Sequence, residues 1–323
     1  MSYGCMIIER AGQLDTIQDL GRIGYQHQGM PVAGAVDPYS FQLGNLVVGN
    51  HRNKPSLEIT MVGPTLRFTE PTFIAITGGE LVPLLNGQPV AMWQSIPISS
   101  NDTLTLGGIK RGSRAYVSIA GGFLLPEVMN STSTYLRGGL GGYQGRALRQ
   151  GDQLHYSPIT PQPGGFKAAT LPYLLSPALQ PSYSESITVR VIMGPDEERF
   201  TPQGVHTLLS TPYLVTTAMD RMGMRLEGEK VEHLQGADII SDAIPLGAIQ
   251  IPANGQPIIM LADRQTTGGY TKIACVISVD IPKLAQARPG HTVRFQVVEL
   301  DKAQQLVKKQ ENLFRSLEIL CST

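Results

Sequence analysis

Short apolar runs bounded by turn residues dominate the pattern along the chain. Each run is four to nine residues long and lies between Gly, Pro, Asn or Asp residues, which is typical of strands in barrels or sandwiches rather than of alternating strands and helices. We therefore expect a mainly β protein. The runs are SLEITM, TLRF, TFIAIT, RAYVSIA, ITVRVIM, YLVTT, PIIML, ACVISV and TVRFQVVEL.

Two segments show the period of an amphipathic helix. The first follows Asp37, a candidate N-cap, with Pro38 at the first helical position. Its predicted apolar face comprises Phe41, Leu43, Leu46 and Val47. The second covers residues 301–321, where Asp301 precedes Gln304 with the spacing of a capping box and apolar residues recur at three and four.

A proline-rich segment at 158–182 separates two halves of similar length. Its prolines and glycines cannot hold a regular strand ladder, so we predict an N-terminal β domain at 1–157, a C-terminal β domain at 183–300 and a final helix at 301–323. Both halves contain a predicted Asn-Gly hairpin turn, in NGQPV and NGQPI. This short repeat hints at two similar domains.

Composition excludes several classes of partner. Charged residues make up 16% of the 323 residues, and Lys+Arg 26 balances Asp+Glu 26. Since no excess of one sign attracts a phosphate backbone or an anionic bilayer, we expect neither nucleic acid nor membrane as a partner. Gly 35 and Pro 23 indicate many tight turns.

The cysteines and the N-terminus indicate a reducing compartment. Cys5, Cys275 and Cys321 are odd in number and far apart, which argues against a disulfide framework or a thiolate zinc site. Glu9 and Arg10 come before any long apolar stretch, and no later stretch is long enough to cross a membrane. A cytoplasmic location is the expectation.

Several catalytic motifs are absent from the sequence. It has no G-x-x-x-x-G-K-[ST] loop, no G-x-S-x-G elbow and no H-E-x-x-H pair, and the glycine-rich run RGGLGGYQG fails the dinucleotide pattern. The histidines never stand at a metal-ligand spacing, so no metal is expected. No Met-Lys-Met lysine is present for covalent biotin.

Polar residues cluster in four segments, of which the first is TIQDLGRIGYQHQGMPVAGAVD at 16–37. It has too few apolar residues to be core. Either it is a solvated surface loop or it is a binding loop, since long glycine-rich segments in compact domains often bind ligands. Its polar candidates are Gln18, Asp19, Arg22, His27 and Asp37.

The next two clusters also allow structural interpretations. In RGGLGGYQGR, Arg137 and Arg146 flank a glycine-rich loop and either clamp a phosphate or carboxylate or face solvent from a flexible hairpin. In MDRMGMRLEG, polar and apolar residues alternate, which predicts a half-buried strand with Asp220 and Arg221 at its start.

The fourth cluster, DRQTTGGY at 263–270, interrupts two apolar runs that together predict a buried hairpin. Gly268 and Gly269 are predicted to make its tight turn. The remaining polar groups would each cost about 1–3 kcal/mol if buried without partners. Either they satisfy one another or they face a polar ligand, and we favour the ligand.

These clusters together resemble one family. The resemblance covers residues 6–298 and rests on TIQDLGRIGYQHQGMPVAGAVD, LVVGN, SLEIT, DRMGMRLEG and IQIPANGQPIIMLADRQTTGGYTKIA. These segments are similar to the KipA family, also described as allophanate hydrolase subunit 2-like, urea amidolyase-related, biotin-dependent carboxyltransferase-like or the C subunit of the bacterial 5-oxoprolinase.

The resemblance implies a fold, partners and an activity. The expected fold is two cyclophilin-like β-barrels packed together, with a C-terminal helix. The expected partners are a KipI-type protein, the B subunit, and a lactam-opening protein of the LamB/YcsF type, the A subunit. Together with this chain they convert 5-oxoproline to glutamate with ATP. The alternatives are transfer of a carboxyl group from a biotin carrier to urea or allophanate, and a non-enzymatic role as antagonist of a KipI-like kinase inhibitor.

A hypothesis for the site follows from the same resemblance. ATP would phosphorylate the lactam carbonyl oxygen, and arginines would neutralise the phosphate charge. The expected catalytic residues are Asp263, Arg264, Asp37 and Arg22. The expected substrate-binding residues are Gln265, Thr266, Thr267, Gly268, Gly269, Tyr270, Arg137 and Gln18. The nucleotide is expected mainly at the KipI-type partner.

Overall fold

The computed structural model describes residues 3–158 and 174–322, and these form two compact units. The first unit comprises Met1–Arg22, Asp37–Tyr183 and Leu313–Thr323, and the second comprises Ile23–Val36 and Ser184–Asn312. Most of the predicted proline-rich linker, 159–173, lies outside the described residues. The predicted domain limits stay a prediction, because compactness alone does not show that a segment folds independently.

The first unit contains two antiparallel sheets, one complete helix and the last residues of the C-terminal helix. The sheets have the strand orders β11-β1-β4-β9-β6-β7 and β2-β3-β10-β5-β8. The elements are β1 Gly4–Arg10, β2 Leu14–Gln18, α1 Pro38–Val47, β3 Ser56–Thr60, β4 Thr65–Phe68, β5 Thr72–Glu80, β6 Leu84–Leu85, β7 Gln88–Pro89, β8 Ser95–Ile98, β9 Thr103–Thr105, β10 Arg111–Ile119 and β11 Gln153–Tyr156.

The core of this unit is one apolar cluster drawn from both sheets. Ile8 and Phe68 come from the first sheet, and Ile59, Ile76 and Val117 from the second, all fully buried. Each such side chain contributes about 1.5–3 kcal/mol by leaving water. The cluster therefore holds the two sheets face to face.

Helix α1 begins as the sequence predicts. The carboxylate of Asp37 accepts hydrogen bonds from Ser40 N at 3.0 Å and Ser40 Oγ at 2.7 Å, and Pro38 occupies the first turn. A Cβ on Gly44 would lie 2.8 Å from Ser118 Oγ and 2.9 Å from Thr77 Oγ1. The helix therefore lies close against β5 and β10 at a position that only glycine allows.

The second unit is a closed barrel with the strand order β12-β19-β16-β17-β14-β13-β20, beside a separate ribbon of β15 and β18. Its elements are β12 Ser186–Met193, α2 Pro202–Ser210, β13 Tyr213–Met219, β14 Gly223–Glu227, β15 Asp238–Ala243, β16 Ala248–Gln250, β17 Ile258–Met260, β18 Thr267–Tyr270, β19 Lys272–Val276, α3 Ile281–Ala285 and β20 Thr292–Val297. The last helix, α4 Leu300–Ser322, belongs to this unit as far as Asn312. The first and last barrel strands, β12 and β20, pair in parallel, whereas the other barrel pairs are antiparallel.

The interior of the barrel is apolar. Val189, Ile249, Ile259, Ile273 and Val293 point from five strands into one buried cluster. Helix α4 begins at Leu300, one residue before the predicted start, so Asp301 lies in its first turn, where a carboxylate favours the helix dipole.

The mainly β prediction is confirmed. Each of the nine apolar runs contains a strand, and both predicted helices form. The turn at Asn86 and Gly87 joins β6 to β7 with both residues at positive φ, as predicted for an Asn-Gly hairpin. The second Asn-Gly turn lies in the longer β16–β17 connection, closed by Gly255 N–H donating to Pro252 O at 2.9 Å.

The polar segment at 16–37 differs from its prediction. We expected it to be too polar for the interior, but four of its polar candidates are buried, and His27 is the exposed one. The buried residues are Gln18, Asp19, Arg22 and Asp37. Burial is possible because each makes hydrogen bonds inside the first unit.

Asp19 is the centre of the largest of these networks. Its Oδ1 accepts hydrogen bonds from Gly21 N, Ser131 Oγ and Ser133 Oγ, and its Oδ2 accepts from Thr132 N and Thr132 Oγ1, at 2.5–3.1 Å. Five donors on one carboxylate satisfy its lone pairs. Asp19 therefore ties the end of β2 to the segment at 131–133.

We expect Asp19→Asn to lower the free energy of unfolding by about 2–4 kcal/mol, because an amide NH2 would face donors that now have a charged acceptor. Chemical denaturation of the purified chain measures this change. The exposed Asp238→Asn variant is the control and should stay within about 0.5 kcal/mol of wild type. Equal stabilities of the Asp19→Asn variant and wild type would contradict the assigned role.

The carboxyl of Asp15 is buried and accepts one backbone hydrogen bond, from Gly12 N at 2.6 Å. Burial raises the pKa of Asp15 to about 7, with the Gly12 N–H acting in the opposite direction. The folded protein therefore holds a proton that the unfolded chain releases near pH 4, and stability falls as pH rises from about 4 to 7.

We expect Asp15→Asn to remove this pH dependence and to make the protein more stable than wild type at pH 8. The gain is at most about 4 kcal/mol, the equivalent of the shift in pKa. Thermal unfolding of both proteins at pH 5 and pH 8 tests it. A wild-type protein whose stability does not fall between these pH values would show that Asp15 ionises freely.

Candidate functional site

The segment Asp263–Tyr270 lies in the second unit between β17 and β19, but it is not the turn of a hairpin. Its last residues form β18, which pairs with β15 through Asp242 opposite Gly268. The prediction of a tight turn at Gly268 and Gly269 was wrong, since neither residue has a positive φ. Gly268 lies instead in a crowded position: a Cβ there would lie 2.6 Å from Ile244 Cδ1, the end of a side chain that would have to shift.

Asp263 pairs with Arg221 rather than with its neighbour Arg264. Arg221 Nε donates to Asp263 Oδ2 at 3.0 Å and Nη2 to Oδ1 at 2.9 Å, and both side chains are buried. Arg221 Nη2 also donates to Gly34 O at 2.6 Å. Both oxygens of Asp263 are thus engaged in positioning, which makes Asp263 a weaker candidate for proton transfer.

Arg264 is a buried cation held by backbone carbonyls. It is 7% exposed, its Nε donates to Ile244 O at 2.9 Å and its Nη1 to Leu261 O at 3.3 Å. Within residues 3–158 and 174–322 no carboxylate forms an ion pair with it, and burial lowers its pKa. The charge of Arg264 is therefore not neutralised inside the described part of the chain.

The thiol of Cys275 lies near Arg264 but does not supply the missing negative charge. Burial raises the pKa of Cys275 to about 11 in spite of the nearby guanidinium. At neutral pH the thiol is therefore protonated. Its Sγ donates to Leu246 O at 3.4 Å, and Cys5 and Cys275 are both free thiols.

The other fully buried basic groups of this unit have acidic partners. Arg221 has Asp263, and Lys272 Nζ lies 3.1 Å from Asp242 and 3.7 Å from Asp196. The pKa of Asp242 is lowered by a backbone N–H and by Lys272. Arg264 is therefore the buried basic side chain of the described second unit that has carbonyl partners but no acidic one.

Two glutamines beside the ribbon have buried amide atoms without hydrogen-bond partners. These atoms are Gln250 Nε2 on β16 and Gln265 Oε1 after Arg264. The sequence motif predicts Gln265 as a substrate-binding residue, whereas Gln250 was not among the predicted residues. A polar residue between two isoleucines in a buried strand, as in IQI at 249–251, was the available signal.

The remaining residues of the segment are more exposed. Thr266 O accepts a hydrogen bond from Ile244 N at 3.0 Å, Thr267 lies on the exposed edge of the ribbon, and Tyr270 is 41% exposed. Thr267 and Tyr270 are therefore the residues of the segment that are most accessible to solvent.

In the first unit, Gln18, Arg22 and Asp37 have structural partners. Gln18 Nε2 donates to Thr16 Oγ1 at 3.0 Å and to Thr134 O at 3.3 Å. Arg22 Nη2 donates to Ser133 O at 2.5 Å, and Asp37 caps α1 as described. These contacts hold the three side chains in place inside the first unit, and Gln18 Oε1 is in addition buried without a hydrogen-bond partner among the described residues.

One of the two arginines that were predicted to clamp an anion, Arg146, already has an acidic partner within the chain. Arg146 donates through two nitrogens to Asp152, at 2.6 and 2.8 Å, and this hydrogen bonding lowers the pKa of Asp152. Arg137 lies in an exposed 3-10 turn, Leu136–Gly138. Arg137 alone stays a candidate for ligand binding.

No metal centre is apparent in the described parts of the chain, where no three His, Cys, Asp or Glu side chains are placed to share an ion. None of the helices within residues 3–158 and 174–322 is long and apolar enough to cross a membrane.

Comparison with known proteins gives closely similar relatives. The model of the carboxyltransferase domain, subdomain A and B, matches residues 28–297. The 5-oxoprolinase C subunit of Haemophilus influenzae is 34% identical over 296 residues, covering 92% of both chains. The 5-oxoprolinase C subunit of Escherichia coli K12 is 34% identical over 311 residues, covering 96% of both chains.

A solved structure has the same architecture over almost all of this chain. The urea carboxylase of Kluyveromyces lactis superposes with a TM-score of 0.88 and 31% identity, covering 97% of this chain but 29% of that protein. This chain is thus equivalent to less than a third of that larger enzyme. Together these matches confirm the resemblance stated from the sequence: the chain belongs to the carboxyltransferase-domain family, subdomains A and B, which includes the 5-oxoprolinase C subunits.

Proposed function

We propose that this chain is the C subunit of an ATP-dependent 5-oxoprolinase and acts in the cytoplasm in a multi-subunit hydrolytic complex. Two relatives of that name match it along more than nine tenths of both chains, which supports a role for the whole chain. The partners we propose are a KipI-type protein and a lactam-opening protein of the LamB/YcsF type. The reaction is the conversion of 5-oxo-L-proline to L-glutamate.

The buried guanidinium of Arg264 is the observation that carries this proposal. A buried charge without a counter-ion is costly, and a bound anion offsets that cost. 5-Oxoproline carries a carboxylate at neutral pH, and a phosphorylated lactam would carry further negative charge. Urea is neutral, so an anion site at Arg264 favours 5-oxoproline over urea as the small-molecule amide substrate, whereas allophanate also carries a carboxylate.

The segment Asp263–Tyr270 supplies the other proposed roles. Asp263 fixes Arg221 and the start of the segment, Gln265 faces the lactam, Thr266 and Thr267 orient the substrate through their hydroxyl groups, and Tyr270 covers it. In a site of this kind, positioning and electrostatics lower the barrier without covalent attachment to the chain. Four further candidate residues belong to the first unit: Asp37, Arg22, Gln18 and Arg137. We assign them mainly a structural role and only secondarily a contact with the ligand.

ATP is the proposed co-substrate, and it would supply the phosphoryl group that activates the lactam carbonyl. The chain has no phosphate-binding loop motif. We therefore propose that the nucleotide is held mainly by or with the KipI-type partner, and that Arg264 contributes positive charge to the reacting group.

The second candidate is a role as the carboxyltransferase component of a urea/allophanate-type biotin-dependent system, in which a carboxyl group passes from biotin to urea. The superposition on a urea carboxylase over 97% of this chain favours it. Because the chain has no Met-Lys-Met lysine, this activity would require a biotin carrier on another chain.

Reconstitution distinguishes the two candidates. We expect this chain, purified with its KipI-type and LamB/YcsF-type partners, to release ADP and glutamate from ATP and 5-oxoproline, and to stop when any one component is omitted. ADP release is measured with a coupled assay and glutamate by chromatography. Turnover of urea with a biotinylated carrier, but none of 5-oxoproline, would establish the second candidate instead.

We expect Arg264→Gln to lower turnover of the complex at least about tenfold, equivalent to about 1.4 kcal/mol in the barrier. The same change should leave the free energy of unfolding within about 1 kcal/mol of wild type, since it removes an unneutralised buried charge and keeps one donor for the carbonyls. Steady-state kinetics and chemical denaturation measure the two effects.

The exposed Arg225 on β14 provides the matched control. Arg225→Gln removes the same charge from a solvent-facing site and should change neither turnover nor stability appreciably. If Arg264→Gln instead unfolds easily, or turns over at the wild-type rate, Arg264 is a structural residue.

A further inference from the structure

The side-chain amides of Gln250 and Gln265 approach the same position beneath the β15–β18 ribbon. That position is the space beside the α-carbon of Gly268: a Cβ there would lie 3.2 Å from Gln250 Nε2 and 3.4 Å from Gln265 Nε2. We call these two side chains the amide pair. Gln250 is 2% exposed and stands on a barrel strand, so its position is fixed by the fold.

Each member of the amide pair has one polar atom that is buried and makes no hydrogen bond within the described residues. For Gln250 it is the donor Nε2, and for Gln265 it is the acceptor Oε1. Each costs about 1–3 kcal/mol, and folded proteins keep few such groups. Gln250 approaches Gly268 with this donor, whereas Gln265 approaches it with Nε2, and its unpartnered Oε1 is on the same amide carbon. A donor and an acceptor without partners on two neighbouring amides match the needs of one common ligand.

We propose that the amide pair recognises the amide edge of the substrate: Gln250 Nε2 donates to its carbonyl oxygen, and Gln265 Oε1 accepts from its N–H. A lactam holds these two groups side by side in the cis arrangement, as does each half of urea. The recognised class is therefore a small cis-amide. This assignment rests on the proposed function and adds Gln250 as a specificity-determining residue.

Ile244 connects the amide pair to the anion site. Its carbonyl oxygen accepts the hydrogen bond from Arg264 Nε, and its Cδ1 lies 2.6 Å from the Cβ position of Gly268. A ligand that contacts both sites has an anionic group next to a cis-amide. 5-Oxoproline has this combination, whereas urea lacks the anionic group.

The ligand reaches the amide pair only if Gly268 moves away from Gln250. Gly268 belongs to the ribbon, whose two strands pair with each other and not with the barrel sheet. The exposed residues of the ribbon, such as Ile240 at 95% exposure, bury little apolar surface that would resist such a movement. The ribbon thus acts as a cover over the site.

Binding without ATP tests this inference separately from catalysis. Calorimetry on the assembled complex would compare 5-oxo-L-proline with its lactone analogue, 5-oxotetrahydrofuran-2-carboxylate, in which a ring oxygen replaces the N–H. Wild type should bind the lactam at least about tenfold more tightly than the lactone. With the lactone bound, Gln265 Oε1 would have no donor, and an acceptor without a donor in a buried site is costly.

The two leucine variants should lose different parts of this recognition. Gln250→Leu should weaken both ligands about tenfold or more and keep the preference for the lactam, because both ligands have the carbonyl. Gln265→Leu should weaken binding of the lactam and leave binding of the lactone nearly unchanged, so that the two ligands bind about equally well. Both variants should unfold at wild-type temperature or above, because an apolar side chain replaces an unpaired amide.

The outcomes separate this inference from the proposed function. The proposed role of the amide pair would be overturned by either of two results. In the first, both variants bind the lactam and the lactone with wild-type affinity; in the second, both variants lose equal affinity for the two ligands. If wild type binds urea but not 5-oxoproline, the proposed function fails, and loss of urea binding in Gln250→Leu would still support the pair. A wild-type complex that binds neither compound overturns both.

Discussion

The bidentate pair of Arg221 and Asp263 determines how the polar segment after β17 is used. It satisfies the acidic group of that segment and fixes its start to the turn before β14. As a result, the neighbouring Arg264 has only carbonyl partners and a neutral thiol beside it. The pairing of Asp263 with Arg221 thus leaves Arg264 without an acidic partner among the described residues, which is the basis of the proposed anion site.

Buried polar groups in this chain fall into two kinds. Asp19, Asp37 and Lys272 have their partners within their own unit, and they hold loops and helix ends in place. Arg264 and the amide pair have incomplete sets of partners, and all three border Ile244 or Gly268. Because unmatched groups cost free energy, their concentration at one place is the basis on which we propose a ligand site there.

Local features were predictable from the sequence and tertiary partners were not. The apolar runs gave the strands, and Asp37 with Pro38 gave the start of α1, because these depend on near neighbours. The pairing of Asp263 joins residues 42 positions apart, and the adjacent Arg264 was an equally good partner in the sequence. Gly268 suits a tight turn and a close approach alike, so its place in a strand required the fold.

The parallel pairing of β12 with β20 sets the order of events during synthesis. These are the first and the last strand of the barrel along the chain. Their pairing runs from Ser186 opposite Thr292 to Val191 opposite Val297. The barrel of the second unit therefore cannot close until Val297 has left the ribosome. Until then β12 has an unpaired edge, which is open to wrong pairing between nascent chains, so a chain truncated before β20 would depend on chaperones.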